Sequence, residues 1–289
     1  MDSEDLRPKV SVLMTVYNSD KFLATALKSL SDQTFSNFEL VVIEHGSSDK
    51  SLNIIDDWAD ERLKLEVLAK NIGRTPALNR CLDRAVGEYI AILDSDDVSA
   101  PDRLMQQVYF LDTHPDVGLV GSWSSYIDEF GNKIREHRPA TDHKDLVKTV
   151  AIKNPLTHSS LMYRRDLAIR VNGYDDCYKY AQDYALIVDF AEFTNIAALP
   201  ELLCDWRETK TSITNNSSIP VNHIFEELLV LKKAKKQLDL GFLNKVRNSV
   251  RQIVLRAIIV ARLLRQHHFE SAILSIVSVR SGRQRYLHG

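Results

Sequence analysis

Four short, almost wholly apolar runs punctuate the first hundred residues, at 10–16 (VSVLMTV), 38–43 (FELVVI), 63–68 (LKLEVL) and 89–93 (YIAIL). Runs of this length bounded by polar turns read as strands, and the stretches between them carry apolar residues at helical spacing. Tyr17-Asn18-Ser19-Asp20 is a turn that caps a helix to about Ser31. Ser48 or Asp49 is placed to cap a second helix to Trp58, and a third is predicted from about Thr75 to Ala85. Strands joined through helices pair in parallel with right-handed crossovers. The expected class is therefore α/β, a Rossmann-like, mostly parallel sheet flanked by helices. Every strand of this half ends in a polar turn, and a parallel sheet gathers such turns along one edge, where open α/β sheets hold their ligands.

Beyond Pro101 a helix is predicted over 102–114, a strand over 117–122 and a hairpin-type turn over 128–132. Residues 154–165 and 173–176 read as loop and short strand beside the first sheet, and 180–193 has helical spacing. From Val221 the pattern is helical almost throughout. Apolar residues at Ile224, Leu228, Leu231, Val246, Val250, Val254, Ile258 and Leu263 alternate with Lys and Arg. Two or three basic amphipathic helices follow from this, either packed on the main domain or lying on an anionic membrane surface.

Composition narrows the class. The 289 residues are 44% hydrophobic and 26% charged, as expected for one large or two modest globular domains. The net charge of −2 hides an asymmetry, because residues 220–289 hold 13 Lys/Arg against 4 Asp/Glu. The tail is thus expected to meet a different partner from the acidic body, and no nucleic-acid partner is expected. Cys81, Cys177 and Cys204 are widely spaced and odd in number, which argues for reduced thiols in a cytoplasmic compartment rather than a disulfide framework or a zinc site. The charged N-terminus does not read as a signal peptide, and no apolar run approaches the length needed to span a bilayer.

The strongest chemical signal is Asp94-Ser95-Asp96-Asp97, three carboxylates closing the fourth strand. Carboxylates so close repel one another, and a cation relieves them. At a strand's carboxyl end the candidate is Mg²⁺ or Mn²⁺ held against a substrate phosphate. A solvated turn with Asp or Ser as N-cap of the next helix is the plainer reading of the same four residues.

Further segments give this run a context: Val16-Tyr17-Asn18, Gly46-Ser47-Ser48-Asp49, Asn71-Ile72-Gly73, Gly87-Glu88-Tyr89-Ile90-Ala91, Pro101-Asp102-Arg103-Leu104, His114-Pro115-Asp116-Val117-Gly118, Asn154-Pro155, His158-Ser159-Ser160, Gly173-Tyr174 and Gln182-Asp183-Tyr184. In this order they resemble the inverting nucleotide-sugar glycosyltransferases of family 2, with the A-type transferase (GT-A) fold, and within them the bacterial branch that builds capsules, O-antigens and lipopolysaccharide. The resemblance implies a transferase domain over 1–219, its nucleotide-binding half at about 8–100 and its acceptor half at about 101–219, followed by the basic extension at 220–289. It assigns Asp96, and after it Asp94, to a metal bridging the donor's diphosphate. Thr15, Tyr17, Glu44, Asn71, Arg74 and Ser95 fall where the family contacts the donor, expected to be a UDP-sugar. Asp183 resembles the family's catalytic base, and His158, Gly173, Tyr174 and Gln182 fall on the acceptor side. The acceptor implied is a hydroxyl of a glycan or a lipid-linked oligosaccharide, and the location is cytoplasmic, with peripheral attachment to the inner face of the membrane.

Departures from the family pattern are concentrated on the closing side. Glu44-His45 stands where two aspartates are common, Gln182 replaces a glutamate, Asp189 replaces an arginine, and Thr209 takes the place of a histidine. A catalytically degenerate relative that binds nucleotide and supports an active transferase is the alternative these changes leave open. A haloacid-dehalogenase-type phosphatase, suggested by Asp94-x-Asp96, fits poorly because three strands precede the motif.

Overall fold

The computed structural model describes residues 7–58, 60–209 and 221–265. The first half builds as its pattern predicts. Strands β1 (Val10–Val16), β2 (Phe38–His45), β3 (Leu63–Leu68) and β4 (Tyr89–Ile92) alternate with helices α1 (Leu23–Ser31), α2 (Ser51–Asp57) and α3 (Arg74–Arg84). They pair in parallel in the order β3-β2-β1-β4. Side chains on β1 divide by parity. Val10, Val12, Met14 and Val16 enter one apolar core with α1 and Ile55 of α2, while Leu13 enters the other with α3. Burial on both faces is why β1, β2 and β4 read as continuous apolar runs rather than alternating ones, while the edge strand β3 is only partly covered.

The second half extends the sheet with mixed polarity. After a two-residue strand, β5 (Val98–Ser99), come α4 (Arg103–Thr113), β6 (Val117–Ile127), β7 (Lys133–His137), α5 (His143–Val150), β8 (Met162–Arg164), α6 (Arg165–Arg170), α7 (Gln182–Phe193) and β9 (Asn195–Arg207). β8 bridges the halves, antiparallel to both β4 and β6, and β9 runs parallel to β6. The predicted strand at 117–122 is longer than expected and turns at Asp128 into β7, so the hairpin lies where the sequence puts it. α5, a short helix with Leu146 and Val150 on its buried face, and β9, which carries no clear periodicity, are additions to the sequence reading.

The C-terminal extension forms two helices, α8 (Val221–Gln237) and α9 (Phe242–Arg265). Ile224, Leu228 and Leu231 of α8 and Leu255 and Ile259 of α9 enter the same core as α3 and α7. Polar anchors add to this packing: Lys233 Nζ lies 2.6 Å from Asp189 Oδ2 on α7, and Gln237 donates to Asp189 Oδ1 at 3.3 Å. The charge inversion at Asp189 therefore serves a local purpose, to hold α8. Because Leu231 is fully buried, Leu231→Ala should cost about 2–5 kcal/mol of unfolding free energy and move a single transition in chemical denaturation. Two separate transitions, of which only the first moves, would show that α8 and α9 are not part of the main core.

Candidate active site

Parallel pairing brings the loops after β1, β2, β3 and β4 to one edge, and hydrogen bonds lace them there. Asn18 N donates to Ser47 Oγ at 3.0 Å, Asn18 Oδ1 accepts from Ser48 N at 2.9 Å, and Asp20 N donates to Asp49 Oδ2 at 3.0 Å. Gly46 has φ of +84°, and a Cβ there would stand 2.7 Å from the Cα of Lys70, so glycine alone lets the second and third loops meet. Asn71 Oδ1 accepts from Gly73 N at 2.7 Å and lies 3.0 Å from His45 Nδ1, which must then be a donor. The His45 ring stacks on Tyr17 with centroids 5.4 Å apart. Burial outweighs the bond to Asn71 and lowers the pKa of His45, so the ring is neutral at neutral pH.

The acidic strand end is distributed over three environments. Asp97 is 1% exposed. Its Oδ1 accepts from Arg207 N at 2.8 Å and its Oδ2 bonds to the Ser159 hydroxyl. Burial, with the charges of Asp96 and Asp94 adding to it, raises the Asp97 pKa well above the usual carboxylate range. Asp94 is opposite in character. Its backbone N–H donates to Ser159 Oγ at 3.0 Å, and its Oδ2 lies 2.5 Å from Arg74 Nη2. Burial works against its charge, but the guanidinium more than offsets this and lowers the pKa. Asp96 faces the cavity, and its side chain bonds to no other residue among those described. Burial, then repulsion from Asp94, pushes it up to about 6.

Behind Asp94 runs a polar chain into the core. Arg74 Nη2 lies 2.9 Å from His158 Nδ1, and His158 Nε2 lies 3.0 Å from the Tyr174 hydroxyl, itself 3.3 Å from that of Tyr163. The same Nδ1 lies 3.2 Å from Asp94 Oδ1, so Arg74, Asp94 and His158 form one polar cluster. Arg207, from the end of β9, donates through Nε to Asp96 O at 2.8 Å and stacks its guanidinium 4.4 Å above the Phe22 ring.

Asp183 stands in the first turn of α7 and lines the same cavity of about 510 Å³. Asn154 Nδ2 donates to its Oδ2 at 2.8 Å. The chain leading into α7 is held by the extension: buried Glu226 of α8 accepts backbone N–H groups of Lys179, Tyr180 and Ala181 at 2.7–3.1 Å. Lys153, Lys179 and His223 add positive or titratable groups to this wall, and Tyr126 and Trp206, with ring centroids 4.6 Å apart, form an aromatic patch. Gln182 is 2% exposed, and its Oε1 has no hydrogen-bond partner among the described residues.

The sequence model of glycosyl transferase family 2 matches residues 11–171. The chain belongs to that family. It is 35% identical over 170 residues to the putative glycosyltransferase EpsE of Bacillus subtilis, a match over 58% of this chain and 60% of that one. It therefore spans less than two thirds of EpsE. The amylovoran biosynthesis glycosyltransferase AmsE of Erwinia amylovora is 31% identical over 234 residues, covering 78% of this chain and 86% of AmsE. The UDP-Gal:alpha-D-GlcNAc-diphosphoundecaprenol beta-1,3-galactosyltransferase of Escherichia coli is 30% identical over 230 residues, covering 74% and 80%. Among solved structures, S. aureus TarS 1–349 with UDP-GlcNAc superposes with a TM-score of 0.66 at 18% identity, over 97% of this chain and 94% of that fragment. The mannosyltransferase PcManGT of Pyrobaculum calidifontis, with GDP-Man and Mn²⁺, gives 0.64 at 19% identity, over 96% and 77%. The fold is the GT-A fold of these transferases.

Against the family's pattern, Arg74, Asp94, Asp96, His158, Gln182 and Asp183 line one cavity. Tyr17, Asn71 and Ser95 lie along the adjoining loops, with Ser95 Oγ donating to Ser19 Oγ at 2.8 Å, and Thr15 sits on β1 opposite Ile43. Glu44 is 2% exposed, and its Oε1 accepts from Ser47 N at 2.6 Å, so it shapes the turn after β2. Gly173 and Tyr174 do not line the cavity. Gly173, with φ of +66°, ends α6 against Asn79, and Tyr174 lies buried under His158. Arg207, Asn154, His223 and Glu226 join the site through contacts distant in sequence; of these Asn154-Pro155 and Arg207, in Trp206-Arg207-Glu208-Thr209, carry a signal readable from the chain, and His223 and Glu226 do not.

The carboxyl of Asp97 provides a test of this electrostatic arrangement. A carboxyl whose pKa is higher folded than unfolded costs stability as pH rises through that interval and returns it as pH falls. An amide keeps both hydrogen bonds without the charge. Asp97→Asn should therefore be more stable than the parent at neutral pH, with the difference shrinking toward pH 4. A parent that gains on the variant as pH rises would contradict the assignment.

Proposed function

We propose that this protein transfers a sugar from a nucleoside diphosphate donor, of UDP type, to a hydroxyl of a glycan or lipid-linked acceptor, with inversion at the anomeric carbon, in the synthesis of a surface polysaccharide. The observation that carries the reading is that Asp94 and Asp96 share one cavity with Asp183, with Arg74 under the electrostatic influence of all three. The relatives named for amylovoran biosynthesis and for a diphosphoundecaprenol acceptor support the pathway class, and the UDP-GlcNAc bound by TarS supports the donor class.

A divalent cation, Mg²⁺ or Mn²⁺, fits the residues present. Among the described residues no cluster of three His, Cys, Asp or Glu side chains is arranged to hold a metal. Hard cations of this kind are commonly held by one or two carboxylates together with substrate phosphates. Asp96, half-buried and with no side-chain bond to another described residue, is the natural protein ligand, with Asp94 second. When bound, the ion would neutralise charge on the departing diphosphate.

The remaining work falls to side chains. Asp183 accepts the proton of the acceptor hydroxyl as its oxygen bonds to the anomeric carbon. The bond from that carbon to the diphosphate breaks on the opposite face, and the nucleoside diphosphate leaves with the electron pair. Asn154 holds the Asp183 carboxylate in orientation, and Trp206 and Tyr126 offer an apolar wall to a sugar face. Arg74 and Arg207 supply fixed positive charge beside the leaving group. Tyr17 and the loops after β2 and β3 bind the nucleoside. The enzyme works at the cytoplasmic face of a membrane, where a lipid-linked acceptor is displayed.

Asp183→Asn should lower transfer by about 10²–10⁴-fold while donor affinity, measured by calorimetry, stays within a few fold. A normal transfer rate in this variant would assign the base elsewhere. A parent protein that turns over no nucleotide sugar at all, with either metal, would favour the scaffold reading.

A further inference from the structure

α9 carries two apolar faces, and the structure accounts for one. The inner face holds Asn248, Gln252, Leu255 and Ile259, all buried. Asn248 Nδ2 donates to the carbonyls of Leu231 and Ala151 at 2.9 and 2.8 Å, and Arg251 Nη2 meets Glu227 at 2.8 Å. The outer face holds Phe242, Leu243, Val246, Val250, Ile253 and Val254, all exposed, Phe242 by 83% and Ile253 by 64%. At helical spacing these six fall within a sector about 120° wide. Lys245 and Arg256 border that sector on one side and Arg247 on the other. Lys245 and Arg247 make no ion pair among the described residues. Residues 242–265 contain no Asp or Glu.

Charge selects the occupant. Residues 266–289 carry Arg280, Arg283 and Arg285 against the single acid Glu270, so they bring no complement to the basic borders. A second copy would oppose the same cations to themselves. An anionic lipid surface satisfies both features at once, with headgroups for the Lys and Arg borders and an acyl boundary for the apolar sector. No described helix is long and apolar enough to cross a membrane, so α9 would lie in the interface plane. We propose that the outer face of α9 docks the protein on an anionic bilayer. α9 runs antiparallel to α8, with Arg251 beside Glu227 and Asn248 beside Leu231. Its C-terminal half therefore lies along the end of α8 from which His223 enters the cavity. Docking through α9 presents that cavity to acceptors held in the same membrane. The inference rests on the exposed face and stands whether or not the transferase reading does.

The test uses the full chain and sedimentation with phosphatidylcholine vesicles, with and without phosphatidylglycerol. The parent should pellet with the anionic vesicles only, and less so as salt is raised. The double variant Val246→Asp/Ile253→Asp should bind at least about tenfold more weakly, as should Lys245→Glu/Arg247→Glu, with unchanged melting temperature because all four side chains are exposed. Donor turnover in solution by the aspartate variant should match the parent, which separates loss of docking from loss of the site. The proposal is overturned if the parent ignores anionic vesicles, or if the variants bind as the parent does. It is also overturned if removal of 266–289 alone abolishes binding, or if the parent is a dimer that Val246→Asp/Ile253→Asp separates.

Discussion

Three carboxylates in four residues at the end of one strand are the constraint around which the rest of the structure is arranged. Their mutual repulsion at this range, in a partly buried setting, is too large for solvent to screen away. The chain resolves it by giving each a different state. Asp97 is buried against a backbone N–H and a hydroxyl and held toward the neutral form. Asp94 keeps its charge because Arg74 is beside it. Asp96 has no side-chain partner among the described residues and faces the cavity. The asymmetry leaves Asp96 most available to a ligand, keeps Asp94 charged at the cavity wall beside Arg74, and commits Asp97 to structure.

That arrangement draws in distant parts of the chain. Arg207 reaches Asp96 and Asp97 from the end of β9, Ser159 contacts both Asp94 and Asp97, and His158 passes the contact from Arg74 to Tyr174. Across the cavity, Glu226 fixes the three residues before α7 and so the starting point of the helix that carries Asp183. The extension is thus joined to the site through one buried carboxylate and through the Lys233–Asp189 pair. The distance between the two working carboxylate groups is set by the sheet on one side and by α8 on the other.

The parts legible in the sequence were those with short-range causes. β1, β2 and β4 are buried on both faces and read as apolar runs, the edge strand β3 is only partly covered, and the loops after all four are polar because a parallel sheet delivers them to one edge. The motif order placed Asp94, Asp96 and Asp183 in one site. β9 was not legible. Its pattern, NIAALPELLCDWR, contains Pro200 and mixes exposed with buried positions, and the strand exists because β6 pairs with it through several register shifts. α5 has only eight residues, although Asp142 caps it by accepting from Asp145 N. Glu44, expected at the donor, also holds the turn after β2 through Ser47 N, while the departures at Asp189 and His45 acquire reasons only from partners in other elements. Gly173 and Tyr174 were assigned by motif to the acceptor side, but the first is needed for a left-handed helix end and the second for the support of His158.

The claim on which all this depends is that one cleft holds the diphosphate at Asp96 and the acceptor at Asp183. Crystals grown with UDP and Mn²⁺, with the metal located by its anomalous scattering, test it most directly. The account requires a manganese peak beside the Asp96 carboxylate, the diphosphate against it, and Asp183 facing the same cavity from across it. A manganese or nucleotide bound on another face of the sheet, with Asp96 untouched, would contradict it.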